Sequence, residues 1–200
     1  MFTNKKFVLA SKSKSRKLIL SNNNLNFQKV KPKINETELK KKLKHLKPNS
    51  LSLRLAEEKA KSISRLKKNM LVVGSDTIIS LNNKVIGKAK NLSEARKKLK
   101  KLSGRSHTIF SSAAAYYNNK PIWRTTQKTT VKIRKLKEAE IKKYIRKADK
   151  SILGSVGCFQ IEKDGPNIIE NIKGDFFNVM GFPLFPFLLF LKGFNIKKWS

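Results

Sequence analysis

Apolar positions recur along the chain in two periods, and the changes between them divide the sequence into elements. Unbroken runs at Phe7-Val8-Leu9 and Leu71-Val72-Val73 suit strands buried on both faces. The first run predicts a strand over Lys5 to Ala10. Leu25 to Val30 alternates, with Leu25, Phe27 and Val30 inward, as a second strand. Between them Leu18, Ile19 and Leu20 open a helix that ends in Asn22-Asn23-Asn24. Leu39, Leu43 and Leu46 line one face of a lysine-rich helix. Leu53, Ala56, Ala60 and Ile63 line a longer one, predicted to be capped by Asn49 or Ser50 after Pro48. The strand from Leu71 is predicted to end near Asp76. Ile78 to Leu81 follows, then an Asn82-Asn83 turn and Val85-Ile86-Gly87-Lys88, a hairpin signal because Asn tolerates positive φ.

Further along, Leu92, Ala95, Leu99 and Leu102 predict a helix over 92–102, with Asn91 as cap, Glu94 three residues on and Gly104 as terminator. His107 to Tyr117 and Ile122 to Ile133 read as two long antiparallel strands turning at Asn118-Asn119. Ile141, Tyr144, Ile145 and Ala148 place an amphipathic helix over Glu138 to Ala148. An irregular stretch runs to Pro183, and a last helix is expected from about Leu184 to Leu191, ending before Gly193. Strands alternate with helices, with no repeat and no linker, which predicts one α/β domain over residues 1–200.

Charge changes the picture more than composition does. The 200 residues are 39% hydrophobic, enough for a substantial core, but carry 46 Lys and Arg against 13 Asp and Glu, a net charge of +33. Such a surplus attracts polyanions, nucleotides and nucleic acid alike. The lysines spread over almost every predicted helix, beside abundant Asn, and no zinc-ligand spacing, aromatic RNP-like strand or basic region with heptads accompanies them. Nucleic acid is therefore expected only as a non-specific partner of the basic surface. Cys158 is the one cysteine, which excludes an internal disulfide, fits a reducing compartment and reads as a small buried thiol. Met1 to Ala10 lacks the apolar segment of a signal peptide, and Phe182 to Phe194 is short and interrupted by Pro183 and Pro186. A cytoplasmic protein with no membrane partner is expected. His107 reads as a strand-start residue, since no second histidine lies near it.

The candidate chemistry centres on Val73-Gly74-Ser75-Asp76-Thr77. A carboxylate at a strand end either caps the next turn or faces a cleft, because ligands of open α/β sheets collect at the carboxyl ends of strands and a buried carboxylate needs a metal or a basic partner. Ser11-Lys12-Ser13-Lys14-Ser15-Arg16 sits between a strand and a helix N-terminus, where free N–H groups and the helix dipole favour an anion. An ordinary serine-capped helix reads the same way. Glu36 alone reads as a first-turn helix acid, Lys59 lies one position from the apolar stripe of its helix, and Lys88 follows a glycine on a loop.

Taken in order, Leu9-Ala10-Ser11-x-Ser13-x-x-Arg16, Asn35-Glu36, Leu55-Ala56-x-x-Lys59-Ala60, Val73-Gly74-Ser75-Asp76-Thr77, Gly87-Lys88, Leu102-Ser103-Gly104-Arg105-x-His107, Glu170-x-Ile172-x-Gly174-Asp175 and Asn178-Val179-x-Gly181-x-Pro183 resemble the Maf family of nucleoside triphosphate pyrophosphatases. The resemblance runs from Phe7 to about Phe194. It implies an α/β fold with a mixed central sheet flanked by helices and two lobes around a deep cleft, similar to the inosine triphosphatase-like folds, assembled as a homodimer. It also implies hydrolysis of a nucleoside triphosphate, with a pyrimidine or modified base, to the monophosphate and pyrophosphate, dependent on Mg²⁺ or Mn²⁺. Roles in nucleotide-pool cleaning and cell-division arrest go with that activity. By resemblance Asp76 is catalytic and, with Glu36, a metal ligand; Ser11, Ser13, Arg16, Lys59 and Lys88 line the phosphate path; and Ser15, Thr77 and Glu162 stand at positions of base choice.

This sequence departs from the family pattern at several points. The family's Ser-Pro-Arg-Arg stretch is Ser13-Lys14-Ser15-Arg16 here, Asn35 replaces an Asp, and Ala89 replaces the Pro after Gly-Lys. Thr77 is similar to the branch acting on dTTP and UTP, Glu162 to the branch preferring 7-methyl-GTP, and Ser15 to neither. The departures leave an alternative, a basic nucleic-acid-binding protein that retains the fold with little catalysis. The presence of Asp76, Glu36, Lys59 and Lys88 favours the enzyme.

Overall fold

A computed structural model describes residues 6–199, so Lys5, the expected start of the first strand, lies outside the described residues. The elements are β1 (Phe7–Ala10), α1 (Lys14–Asn22), β2 (Phe27–Val30), α2 (Glu36–Lys42), α3 (Pro48–Ser64), β3 (Leu71–Leu81), β4 (Lys84–Ile86), α4 (Leu92–Leu102), β5 (Ser106–Tyr117), β6 (Lys120–Ile133), α5 (Glu138–Ala148), β7 (Ile169–Lys173), α6 (Phe176–Met180) and α7 (Leu184–Trp199), with 3₁₀ turns at Asp149–Gly154 and Gly165–Asn167. The strands form one mixed sheet in the order β2-β1-β3-β5-β6-β7, with β4 paired to β3. β2, β1 and β3 run parallel, while β3, β5, β6 and β7 are successively antiparallel. The expected mixed sheet flanked by helices is what the chain forms.

Two features of this topology position the chemistry. The chain passes from β1 to β2 on one side and then returns to place β3 on the other, so the order reverses at β1, the arrangement that opens a crevice at strand ends. In addition, β1 stops at Ala10, opposite Gly74, whereas β3 runs on to Leu81 along β5. Ser75, Asp76 and Thr77 therefore lie beyond the end of β1 with no parallel neighbour. Here the expectation that the strand ends near Asp76 is corrected. Asp76 sits inside β3, opposite Ser112, because β5 supplies ladder partners as far as Ser80.

Helix α3 packs on the face of β3 that carries Val72, Gly74, Asp76 and Ile78. Contact is at the backbone, since a Cβ on Gly74 would lie 2.2 Å from the Ala56 carbonyl oxygen and 2.5 Å from the Ala60 nitrogen. The cap expected at Asn49 or Ser50 is also corrected. Pro48 occupies the first helical turn and Lys47 flanks it, because proline's fixed φ suits that turn. The buried face consequently runs through Leu51, Leu55, Ala56, Lys59, Ala60 and Ile63, leaving Leu53 half-buried. On the other face of the sheet, Phe7, Leu9, Val73, Ala113 and Ala115 pack with Ile19 and Leu20 of α1 and Phe182, Phe187 and Leu191 at α7.

Helix α7 continues to Trp199, past the end expected before Gly193. Gly193 does not take the positive φ of a helix terminator, and Phe190 before it and Phe194 after it meet at a tilt along α7, with Phe194 also against Tyr117. The stretch expected to be irregular holds β7, paired with β6, and α6, capped by the Asp175 carboxylate accepting from Phe177 and Asn178 N–H. The Asn82-Asn83 and Asn118-Asn119 hairpins form with positive φ at all four residues. Cys158 is fully buried and so is His107, whose ring lies against Phe159. Among the described residues no helix is long and apolar enough to cross a membrane.

Candidate active site

Residue Asp76 faces α3 and is 4% exposed. Lys59, on the buried face of α3 and 6% exposed, donates to Asp76 Oδ1 at 2.5 Å and lies 2.8 Å from Glu36 Oε2. Glu36 is the first residue of α2, which Asn35 caps by accepting from Glu38 N–H. Its other oxygen, Oε1, receives Lys40 at 2.7 Å. One ammonium is thus held between two carboxylates drawn from different elements. Partial burial works to raise the Glu36 pKa, but Lys59 and Lys40 outweigh it and hold the group at about 2. Asp76 Oδ2 is buried and, among the described residues, has no hydrogen-bond partner. An orphaned carboxylate oxygen at this depth carries a desolvation penalty that a cation or donor would relieve.

Arg16 enters from α1 on the other face of β3. Its Nε donates to the Gly181 carbonyl at 2.8 Å, Nη2 to Thr77 Oγ1 at 2.9 Å and Nη1 to Ser11 Oγ at 3.3 Å. Burial draws its pKa below the ordinary arginine value, while Asp76 and then Glu36 oppose the shift across the gap left by the end of β1. Ser13 is the N-cap of α1 and accepts from Arg16 N–H, and Ser13 N–H in turn donates to Ser11 Oγ. Lys88, on the exposed loop after β4, shares the field of the same charges. Desolvation lowers its pKa, Glu36 raises it, and Arg16, Lys40 and Lys59 lower it further.

The three positions that the family resemblance assigns to base choice divide into two groups. Ser15 Oγ donates to Glu162 Oε1 at 2.7 Å, tying the first turn of α1 to the segment before the second 3₁₀ turn. Thr77 turns toward Arg16, Ser111 Oγ and the Gly181 carbonyl. The candidates named from the sequence are therefore linked in two sets: Asp76, Lys59 and Glu36 by ion pairs, and Ser11, Ser13, Arg16 and Thr77 by hydrogen bonds. Lys88 joins them through charge and not through contact. A cavity of about 370 Å³ lined by Ser64, Arg65, Lys68, Asn69, Asn118 and Asn119 includes none of these residues.

Sequence reasoning missed the parts that orient Arg16. The Gly181 carbonyl anchors it, and Gly181 adopts φ 107°, a conformation that favours glycine. Asn178, fully buried, sets that turn by accepting from Ser111 N–H and donating to Thr129 Oγ1 at 2.8 Å, while Ser111 Oγ donates to the Asn178 carbonyl. Asn178 and Gly181 lie in the Asn178-Val179-x-Gly181-x-Pro183 motif, but a backbone acceptor leaves no side-chain signature. Lys40 was legible, being four residues from Glu36 on one helix.

The donor set bears on a metal. No group of three or more His, Cys, Asp or Glu side chains is gathered among the described residues. Asp76, through its free Oδ2, and Glu36, whose two oxygens are paired with Lys40 and Lys59, are the two carboxylates that share Lys59. A hard divalent ion of the magnesium type takes one or two carboxylates and completes its shell with water and substrate phosphate.

Comparison with known proteins gives a consistent picture. A 7-methyl-GTP pyrophosphatase of Bartonella henselae is 36% identical over 189 residues, 94% of this chain and 96% of that protein. A nucleoside triphosphate pyrophosphatase of Caulobacter vibrioides is 34% identical over 186 residues, 92% and 93% of the two chains. The overlap with the solved Ham1 protein of Staphylococcus aureus is loose, with a TM-score of 0.34 at 18% identity over 64% of this chain and 72% of that one. The family model described as Maf-like protein matches residues 6–194, and the chain belongs to that family.

Proposed function

We propose that the protein hydrolyses a nucleoside triphosphate to the monophosphate and pyrophosphate by attack of water at the α-phosphorus. The observation that carries this reading is the buried Asp76–Lys59–Glu36 chain beside Arg16, at the strand end where β3 outruns β1. A triphosphate tail carries roughly three to four negative charges near neutral pH. Arg16, Lys59 and Lys88 offset that charge in a site from which water is partly excluded, where fixed cations act most strongly on a reacting group. Ser11 and Ser13 hold their hydroxyls at the N-terminus of α1, where the helix dipole adds to the same field. Asp76 accepts the proton of the attacking water, and its Oδ2 is the atom free to do so. In the alternative use of that same oxygen, Asp76 with Glu36 would hold Mg²⁺ or Mn²⁺, which supplies Lewis-acid polarisation of the phosphoryl oxygens when bound. Ser15, Thr77 and Glu162 border the base. The protein acts as a homodimer in this reading, and nucleotide-pool cleaning is its cellular role.

The test is pyrophosphate release from a panel containing dTTP, UTP, CTP and 7-methyl-GTP, with each metal and with chelator. At least one nucleotide should be hydrolysed in a metal-dependent way, and Asp76→Asn should slow it roughly a hundredfold or more. A folded wild type inactive on every nucleotide, yet binding DNA with steep salt dependence, would overturn the proposal and restore the nucleic-acid reading. The retained acid–lysine–acid chain and the relatives named as pyrophosphatases favour the enzyme.

A further inference from the structure

The loop that carries Lys88 has no regular structure of its own, yet its backbone is fastened at three points to one helix. Lys98 Nζ, from α4, donates to the Gly87 carbonyl at 2.9 Å and to the Lys88 carbonyl at 2.5 Å. Glu94, one turn earlier on α4, accepts from Lys90 N–H at 2.7 Å through Oε2. Its Oε1 lies 3.0 Å from the same Lys98 ammonium. The side chain of Lys98 is 17% exposed, against 74% for Lys100 on the same helix, so it is withdrawn from solvent to make these contacts. On the far side of the loop Ala89 is buried.

From this geometry we infer that Lys98 and Glu94 form a clasp that sets where Lys88 stands, and that both are positioning residues for the phosphate path. The chemistry of the two ends is complementary. A lysine ammonium has donors only and satisfies two carbonyls, while a carboxylate has acceptors only and satisfies the amide two residues on. The intervening i, i+4 ion pair locks the two side chains to each other. A loop lysine held by nothing would give up conformational freedom each time it met a phosphate, and fixing the backbone on either side removes part of that penalty beforehand. The clasp would act on binding through Lys88 and in no other way.

This inference rests on the reading of Lys88 as a phosphate-facing cation, and a double-mutant cycle separates the two. Calorimetry with inorganic pyrophosphate and Mg²⁺ would compare wild type, Lys88→Ala, Lys98→Met, Lys98→Arg and the Lys88→Ala/Lys98→Met pair, with thermal unfolding to verify that each is folded. Lys88→Ala should weaken binding roughly tenfold or more and Lys98→Met by a smaller factor of about five, as expected for charge-assisted bonds. The double variant should match Lys88→Ala alone, and Lys98→Arg, which keeps the donors, should stay within about twofold of wild type. In the hydrolysis assay Lys98→Met should raise KM with kcat nearly unchanged. If Lys88→Ala binds pyrophosphate as wild type does, the phosphate role of Lys88 fails and the clasp with it. If Lys88→Ala is impaired but Lys98→Met is silent, or the two losses multiply, the clasp alone is overturned.

Discussion

At the scale of single residues, Arg16 differs from the lysines around it in being buried and aimed by three acceptors, while Lys12 and Lys14 on the same loop and helix turn are exposed. A lysine in its place has one ammonium and cannot reach Gly181, Thr77 and Ser11 in the same planar fork. Arg16→Lys is therefore expected to lower kcat/KM at least tenfold, whereas Lys12→Ala and Lys14→Ala should stay within about twofold in the same assay. Equal losses in all three would show that the loop acts as a diffuse charge. His107 makes a second residue-scale prediction. Burial lowers its pKa to about 4, and among the described residues neither ring nitrogen has a hydrogen-bond partner. Between about 6.5 and 4 the unfolded chain binds the proton and the folded chain does not, so stability falls as pH drops through that window, by about 3 kcal/mol at most. Glu36, held at about 2, is ionised throughout that window and begins to lose its contribution only below the ordinary glutamate range. Thermal unfolding from pH 7 to pH 4 should show the decline, and His107→Phe should flatten it.

At the scale of elements, what was legible depended on length and period. Helices α4 and α5 appear with the bounds that their apolar spacing predicts, and the β5–β6 hairpin turns at the expected asparagines. Helix α6 and strand β7 have five residues each, too few to show a period, and their existence depends on partners far along the chain. The strand containing Asp76 was read as ending there because a carboxylate looks like a terminus. It continues because Lys59, 17 residues earlier, compensates the buried charge. The same division holds within the site. Carboxylates, lysines and hydroxyls were readable as types, but the Gly181 carbonyl, the Asn178 turn and the Lys98 clasp act on or through backbone and gave no pattern. Gly74 tests the packing at this scale. Gly74→Ala would drive a methyl group into the Ala56 and Ala60 backbone and should destabilise the protein by about 3 kcal/mol, with activity falling further as Lys59 is displaced from Asp76. A denaturation midpoint unchanged from wild type would show that α3 is free to shift.

At the scale of the whole molecule, the +33 net charge sets how substrate arrives. A polyanion is drawn in from beyond contact distance, and the attraction weakens as salt shortens the screening length to about 10 Å at 0.1 M. The expected signature is a kcat/KM for triphosphate hydrolysis that falls with ionic strength while kcat holds steady. A flat salt profile would confine the relevant charge to the few cations in the site.

The backbone contact at Gly74 bears on motion as well as on packing. With α3 pressed against β3, Asp76 and Lys59 ride on one stiff block, and neither can retreat without parting helix from strand. Helix α2 has no fully buried residue and rests on that block through the partly buried Leu39, packed against Leu51, Leu55 and Ile78, and through the Glu36–Lys59 ion pair. Any adjustment to a bound nucleotide is therefore expected of α2 and not of β3, α3 or the clasped loop at Lys88. Amide hydrogens should exchange with deuterium faster across residues 36–42 than where the sheet and α3 touch, while Lys90 N–H, held by Glu94, should be protected.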